Sequence, residues 1–320
     1  MPPPFFSVLI PTYNMSNYLN IAIKSVLEQD FQDFELIVCD NASIDDTESI
    51  VNSYNDSRIK YYKNKFNLGA INNFNKAISY ATGVYIKFLE SDDLMNSNCL
   101  SALFNCINKD KNINMISTSR VIIDENSKVI GVHSINKAYS IQPMFSKLRV
   151  YFKGNEFGTP SDICIRRNIL KKPLIFDEIY ENYLNDWDLW YNFALKYGCF
   201  FLPLICVKVR RHSEQMGVTG IKNFNDINAN IKFIKKNFSS IPLLYFALSI
   251  KLSLFSLIRA LKFLAKNLNK ANIHYLYGLI KLYKSEYGLI YIIFLVFNLL
   301  FYIPIKIIVY LFILPFKGKS

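Results

Sequence analysis

The chain has 320 residues, 51% hydrophobic and 15% aromatic, with 37 Lys and Arg against 25 Asp and Glu. This excludes a disordered polyelectrolyte and leaves room for one large domain with an appendage, or two modest ones. The net charge of +12 is uneven: residues 1–207 hold 20 basic and 22 acidic side chains, residues 208–320 hold 17 and 3.

Phe5 to Ile10 is a short apolar run that predicts a buried strand, followed by a turn at Pro11-Thr12-Tyr13-Asn14. Between Asn17 and Glu28 the apolar residues Tyr18, Leu19, Ala22, Ile23, Val26 and Leu27 recur at helical spacing. Phe34 to Cys39 predicts a second strand ending at Asp40, and Asp45 to Tyr54 a helix with acidic residues in its first turn. A strand at Ile59 to Tyr62, a helix at Ile71 to Tyr80 and a strand at Val84 to Leu89 follow, then a helix at Leu100 to Ile107. Further strands are expected near 113–123 and 200–209, and a helix from Trp190 to Tyr197. Alternating strands and helices predict an α/β fold with a doubly wound, mostly parallel sheet, whose ligands bind at the carboxyl ends of strands. The polar clusters follow those ends.

Glu90-Ser91-Asp92-Asp93 gathers carboxylates on a tight turn, a donor set suited to Mg²⁺ or Mn²⁺ sharing its shell with substrate phosphates. Asp40 can accept from a nucleobase N–H, with Tyr13 flanking the base; Asp40-Asn41-Ala42-Ser43 reads equally well as a helix-capping turn. Asp186, between Asn185 and Trp187, is either a desolvated general base or a helix N-cap. Arg210-Arg211-His212 offers cations for a diphosphate, or opens a basic surface.

In this order the clusters resemble the large family 2 of glycosyltransferases, which has the GT-A fold. The resemblance covers about residues 5–215. Ser7 to Asn14 is similar to the opening strand and loop, and Val38 to Thr47 to the V-D-[DN]-x-S-x-D-x-T pattern. Asn67-Leu68-Gly69 with Asn73 resembles the next block, Leu89 to Asp93 the DxD motif, and Gly158-Thr159-Pro160-Ser161 an acceptor-side segment. Asn185-Asp186-Trp187 resembles the E-D motif and Arg210-Arg211-His212 the closing R-x-H. Glu90 stands where the first Asp of DxD is usual, and Asn185 where Glu is usual before the base.

The resemblance implies an inverting transfer with Asp186 as base and a divalent cation, Mg²⁺ or Mn²⁺, at Asp92 and Glu90. It puts Pro11, Thr12, Tyr13, Asp40, Asn67, Gly69, Asn73 and Ser91 at the nucleotide. Gly158, Ser161, Arg210 and His212 fall to the acceptor or diphosphate. The donor is expected to be a nucleotide-sugar, UDP being commonest. No Q-x-x-R-W segment occurs, which disfavours a processive synthase. The alternative is a catalytically inactive nucleotide- or glycan-binding subunit of a membrane polysaccharide assembly complex.

The division expected is a GT-A catalytic domain over 1–220 and a basic, apolar helical tail over 221–320. The tail's amphipathic stretch at 241–268 and apolar stretch at 287–316 suit a membrane surface or span, and argue against nucleic acid as partner. That implies a lipid-linked saccharide acceptor at the cytoplasmic face of the cell membrane. Met1-Pro2-Pro3-Pro4 lacks the charged start of a secretory signal, and six cysteines without CxxC spacing suit a reducing compartment.

Overall fold

The computed structural model describes residues 2–141, 143, 155–170, 175–177, 184–212 and 225–240. The chain divides into two compact units, Met1–Asn223 and Phe224–Ser320. In the first, every residue of β1 (Phe6–Thr12) and β2 (Phe34–Asp40) is buried. Both strands are covered on two faces, hence the continuous apolar runs. Helix α1 (Ser16–Leu27) buries Leu19, Ala22, Ile23 and Val26, one stripe at helical spacing, in the same core. The elements α2 (Thr47–Asn52), β3 (Ile59–Lys63), α3 (Ala70–Tyr80), β4 (Tyr85–Phe88), β5 (Leu94–Met95) and α4 (Cys99–Lys109) follow. Then come β6 (Met115–Ile123), β7 (Val129–His133), β8 (Tyr139–Ile141), β9 (Ile163–Arg166), α5 (Asn185–Tyr197) and β10 (Cys199–Arg210).

The strands form one sheet in the order β3-β2-β1-β4-β9-β6-β10-β5, with β7 paired to β6 and β8 to β10. Parallel pairing joins β3 to β2, β2 to β1, β1 to β4 and β6 to β10. The sheet is mixed, which corrects the expectation of a mostly parallel one. Strand β9 lies between β4 and β6, antiparallel to both, and β5, β7 and β8 are antiparallel too. The run Ile163-Cys164-Ile165 is too short to declare a strand by periodicity. The chain winds outward from β1 through β2 to β3, then returns to β4 on the other side of β1. The carboxyl ends of β1 and β4 therefore border a topological switch point.

In the second unit the structure describes α6 (Asn225–Phe238), which buries Ala229, Phe233, Ile234 and Phe238. Among the described residues no helix is long and apolar enough to cross a membrane. The stretches 241–268 and 287–316, on which the membrane expectation rests, lie outside the described residues. All six cysteines are free.

Candidate active site

The loops after β1 and β2 are stapled together. The Asn41 amide donates to the Thr12 carbonyl (2.9 Å), Asn14 N–H to Ser43 Oγ (2.9 Å), Ile44 N–H to Asn14 Oδ1 (3.0 Å) and Ser16 N–H to Asp45 Oδ2 (2.8 Å). Asn14 and Ala42 are left-handed at φ 50° and 63°. Asn tolerates that conformation, whereas Ala pays about 1 kcal/mol for it. Asp40 is fully buried, its Oδ1 accepting from Ser43 N–H (2.9 Å) and its Oδ2 from the Tyr61 hydroxyl (2.6 Å). Burial and that carboxylate push the Tyr61 phenol upward. Asp40 thus builds the turn, and its remaining lone pairs can still take one more donor. Pro11 and Thr12 are buried at the end of β1, and Thr12 Oγ1 has no hydrogen-bond partner. Tyr13 is 42% exposed on the rim.

Of the next block, Asn73 is interior. Its Nδ2 donates to the Cys39 carbonyl (2.9 Å), and its Oδ1 accepts from Asn64 Nδ2 (2.9 Å). Asn41 Nδ2 donates to Asn67 Oδ1 (2.7 Å), which also receives the Gly69 amide (2.8 Å). Asn41 Oδ1 takes the Leu68 amide (2.8 Å). Asn73 therefore holds the loop from behind, while Asn67 and Gly69 stay exposed. Asn41 and Asn64 share this work; the sequence marks Asn41 only as part of the Asp40 turn and does not mark Asn64. The recurrence of Asn at 41, 64, 67 and 73 was the available signal.

The acidic turn leaves β4 at the switch point. Asp93 N–H donates to the Glu90 carbonyl (3.0 Å), and Ser91, Asp92 and Asp93 are buried. Arg210, fully buried at the end of β10, clamps the turn: its amide donates to Asp93 Oδ1 (2.8 Å) and its Nε to the Asp92 carbonyl (2.9 Å). Its Nη1 reaches the Asp124 and Glu125 carbonyls and Ser127 Oγ, and its guanidinium lies 4.6 Å from the Tyr18 ring centre. These contacts make Arg210 a brace inside the protein. His212 instead meets the cluster side chain to side chain, Nε2 lying 3.0 Å from Asp92 Oδ2.

The segment before β9 completes the wall. Gly158 has φ +101°, and a Cβ there would come within 2.1 Å of Asp162 Oδ2, which is paired with Arg120. The fold itself requires glycine at 158. Ser161 Oγ accepts from the Glu90 amide (2.9 Å).

These placements create strong electrostatics. Burial raises the Glu90 carboxyl well above its ordinary range, and the charges of Asp93, Asp92 and Asp186 raise it further. Asp93 is raised by burial and by Asp92. Asp186, in the first turn of α5, thus acts on a carboxylate in the turn after β4. Burial pushes its own carboxyl up to about 6, opposed by the amides of Trp187 and Asp186 at the helix start.

Among the described residues no group of three or more His, Cys, Asp or Glu side chains is placed to hold a metal ion unaided. The oxygen donors Asp92 and Glu90, with Asp93 Oδ2 buried and without a partner, still fit a hard divalent cation. Such ions commonly take one or two carboxylates and fill their shell with phosphate and water.

Comparison with known proteins shows the family and the fold. The family model described as glycosyl transferase family 2 matches residues 7–173. An uncharacterized glycosyltransferase of Rickettsia typhi is 30% identical over 231 residues, covering 71% of this chain and 70% of that protein. The Escherichia coli UDP-Glc:alpha-D-GlcNAc-diphosphoundecaprenol beta-1,3-glucosyltransferase WfgD is 38% identical over 123 residues, 38% of this chain and 48% of that enzyme. Among solved structures, Staphylococcus aureus TarS 1-349 in complex with UDP superposes with a TM-score of 0.55 at 22% identity, covering 73% of this chain and 72% of that one; this shows the GT-A-like fold. With the family model spanning over half of the chain and a relative matched along most of both lengths, this protein belongs to glycosyl transferase family 2.

Proposed function

We propose that the protein is a metal-dependent, inverting glycosyltransferase that moves a sugar from a UDP-sugar to a lipid-linked glycan in surface polysaccharide synthesis. What supports this is the buried acidic turn Glu90-Ser91-Asp92-Asp93 at the end of β4, clamped by Arg210 and His212, together with Asp186 in the first turn of α5, whose charge adds to the raising of the Glu90 carboxyl and whose own carboxyl burial raises to about 6. The Escherichia coli relative's undecaprenyl-linked substrate and UDP in the TarS complex support the acceptor and donor classes.

In this reading Pro11, Thr12, Tyr13 and Asp40 form the base end of the donor site, with Asn67 and Gly69 at its exposed side. Asp92 and Glu90 would hold the cation, and Ser91 lies beside them. The cation would supply charge neutralisation for the departing diphosphate. Asp186 takes the proton of the acceptor hydroxyl. The hydroxyl oxygen forms a bond to the anomeric carbon as the bond from that carbon to the phosphate oxygen breaks, and the electron pair leaves with the nucleoside diphosphate. Attack opposite the leaving group inverts the anomeric configuration.

His212 holds Asp92 in place, and Gly158 and Ser161 shape the acceptor side. We assign catalysis to residues 1–220, and to 221–320 the basic tail that meets the cytoplasmic face of the membrane. Incubation with UDP-sugars and a polyprenyl-diphosphate saccharide tests the reaction. One added sugar of inverted anomeric configuration is expected by NMR. A retained configuration, or a polymer built without release, contradicts it.

A further inference from the structure

One buried cation in the catalytic unit has no part in the reaction described so far. Lys87 sits in the central strand β4, fully buried, registered against Val8 of β1 and Cys164 of β9. A lysine in such a place costs free energy unless its donors are bonded, and an apolar side chain would pack there more cheaply. Its Nζ donates to the Phe88 carbonyl (3.0 Å) and to the Ser161 carbonyl. The first lies on the strand leading into the acidic turn. The second lies in the 3₁₀ turn Pro160–Asp162, itself buried. Ser161 then returns the contact: its Oγ accepts from the Glu90 amide at 2.9 Å. Lysine, serine and Glu90 backbone thus form a closed clasp between the acceptor-side segment and the first residue of the acidic turn. Burial raises the Asp162 carboxyl, and the charges of Arg120 and Lys87 oppose that.

We propose that Lys87 is a positioning residue: it holds Ser161 so that the Glu90 backbone, and with it the carboxylates of Glu90 and Asp92, is fixed for the cation and the donor phosphates. This deepens the proposed function and rests on its reading of the acidic turn. Groups that orient a metal's ligands change its affinity by about 10- to 100-fold when removed.

Two variants of the full chain test it. Lys87→Met keeps the length of the stem and removes the donors. Ser161→Ala keeps the carbonyl that Lys87 reaches and removes the acceptor of the Glu90 amide. Hydrogen–deuterium exchange should speed up at least about tenfold across residues 90–93 in both variants, with residues 6–12 and 34–40 unchanged. Titration of Mn²⁺ in the presence of UDP, followed by electron paramagnetic resonance, should show half-saturation at about tenfold higher Mn²⁺. Unchanged exchange at residues 90–93 in a folded variant overturns the proposal. So does unchanged Mn²⁺ uptake by a variant of a wild type that binds the ion, or exchange speeded equally in all strands. If Lys87→Met does not fold, Lys87→Gln, whose shorter stem draws the donor back from the Ser161 carbonyl, replaces it in both measurements. If wild type with UDP takes up no Mn²⁺, the metal reading fails, and the exchange experiment still decides whether the clasp exists.

Discussion

Replacing Asp186 with Asn should destroy the reaction and stabilise the protein. The exchange is nearly isosteric and removes only the proton-accepting charge. A positioned general base contributes about 10²- to 10⁴-fold, so kcat should fall by that factor with little change in the donor KM. Burial holds the Asp186 carboxyl at about 6 against an ordinary 3.8. It is then about 97% ionised near pH 7.5 but only about one-tenth ionised near pH 5, so wild-type kcat should fall with unit slope below about pH 6.

The stability sign follows from the same shift. Between 3.8 and about 6 the folded protein binds a proton that the unfolded chain has released. Stability from this group is therefore fully present below 3.8 and is lost as pH rises through 6. The difference amounts to at most about 3 kcal/mol, and to about 1–2 kcal/mol for a half-buried side chain. Urea unfolding of Asp186→Asn at neutral pH should show that gain, and the gain should vanish below about pH 4. A variant that keeps kcat within about threefold of wild type, or is no more stable at neutral pH, refutes the assignment.

Asp92→Asn should leave the fold intact and abolish metal-dependent turnover; calorimetric titration of UDP with and without Mn²⁺ checks that the metal enhancement of binding is gone. Arg210→Ala should cost about 3 kcal/mol or more, because the fully buried guanidinium's bonds to the Asp92 carbonyl and to residues 124–127 are lost together, while the backbone bond to Asp93 stays; the melting temperature reads this. If Arg210 instead served chiefly as a diphosphate ligand, the variant would raise the donor KM at nearly unchanged melting temperature. Gly158→Ala should destabilise by about 1–3 kcal/mol, since its φ of +101° and the Asp162 carboxylate both exclude a Cβ. A melting temperature equal to wild type would contradict that geometry.

The half-sheet from β1 to β4 was legible because its strands are short, mostly apolar runs and the helices between them have one apolar stripe each, so burial dictates the pattern. Strand β9 was not legible: three apolar residues carry no period, and only its neighbours make them a strand. The acidic turn and Asp186 could be placed near strand and helix ends from spacing and family resemblance. Their mutual approach could not, because it depends on how α5 and β10 return to the sheet. Arg210 shows what charge in a sequence leaves open. A cation at the start of a basic stretch looks like a ligand for phosphate, yet here its Nε and Nη1 donate to the carbonyls of Asp92, Asp124 and Glu125. Asn73 is a similar case, a motif residue that works from behind the loop. Lys87 left a signal, a single charge within Tyr85-Ile86-Lys87-Phe88, and only the carbonyls around it explain its presence.

The most direct test is nucleoside diphosphate release from a panel of nucleotide-sugars, with Mn²⁺ or Mg²⁺ and an undecaprenyl-diphosphate saccharide as acceptor. Wild type should turn over one UDP-sugar in a metal- and acceptor-dependent manner, and Asp92→Ala and Asp186→Ala should not. Turnover that survives either substitution, or the absence of turnover with every donor, would contradict the account.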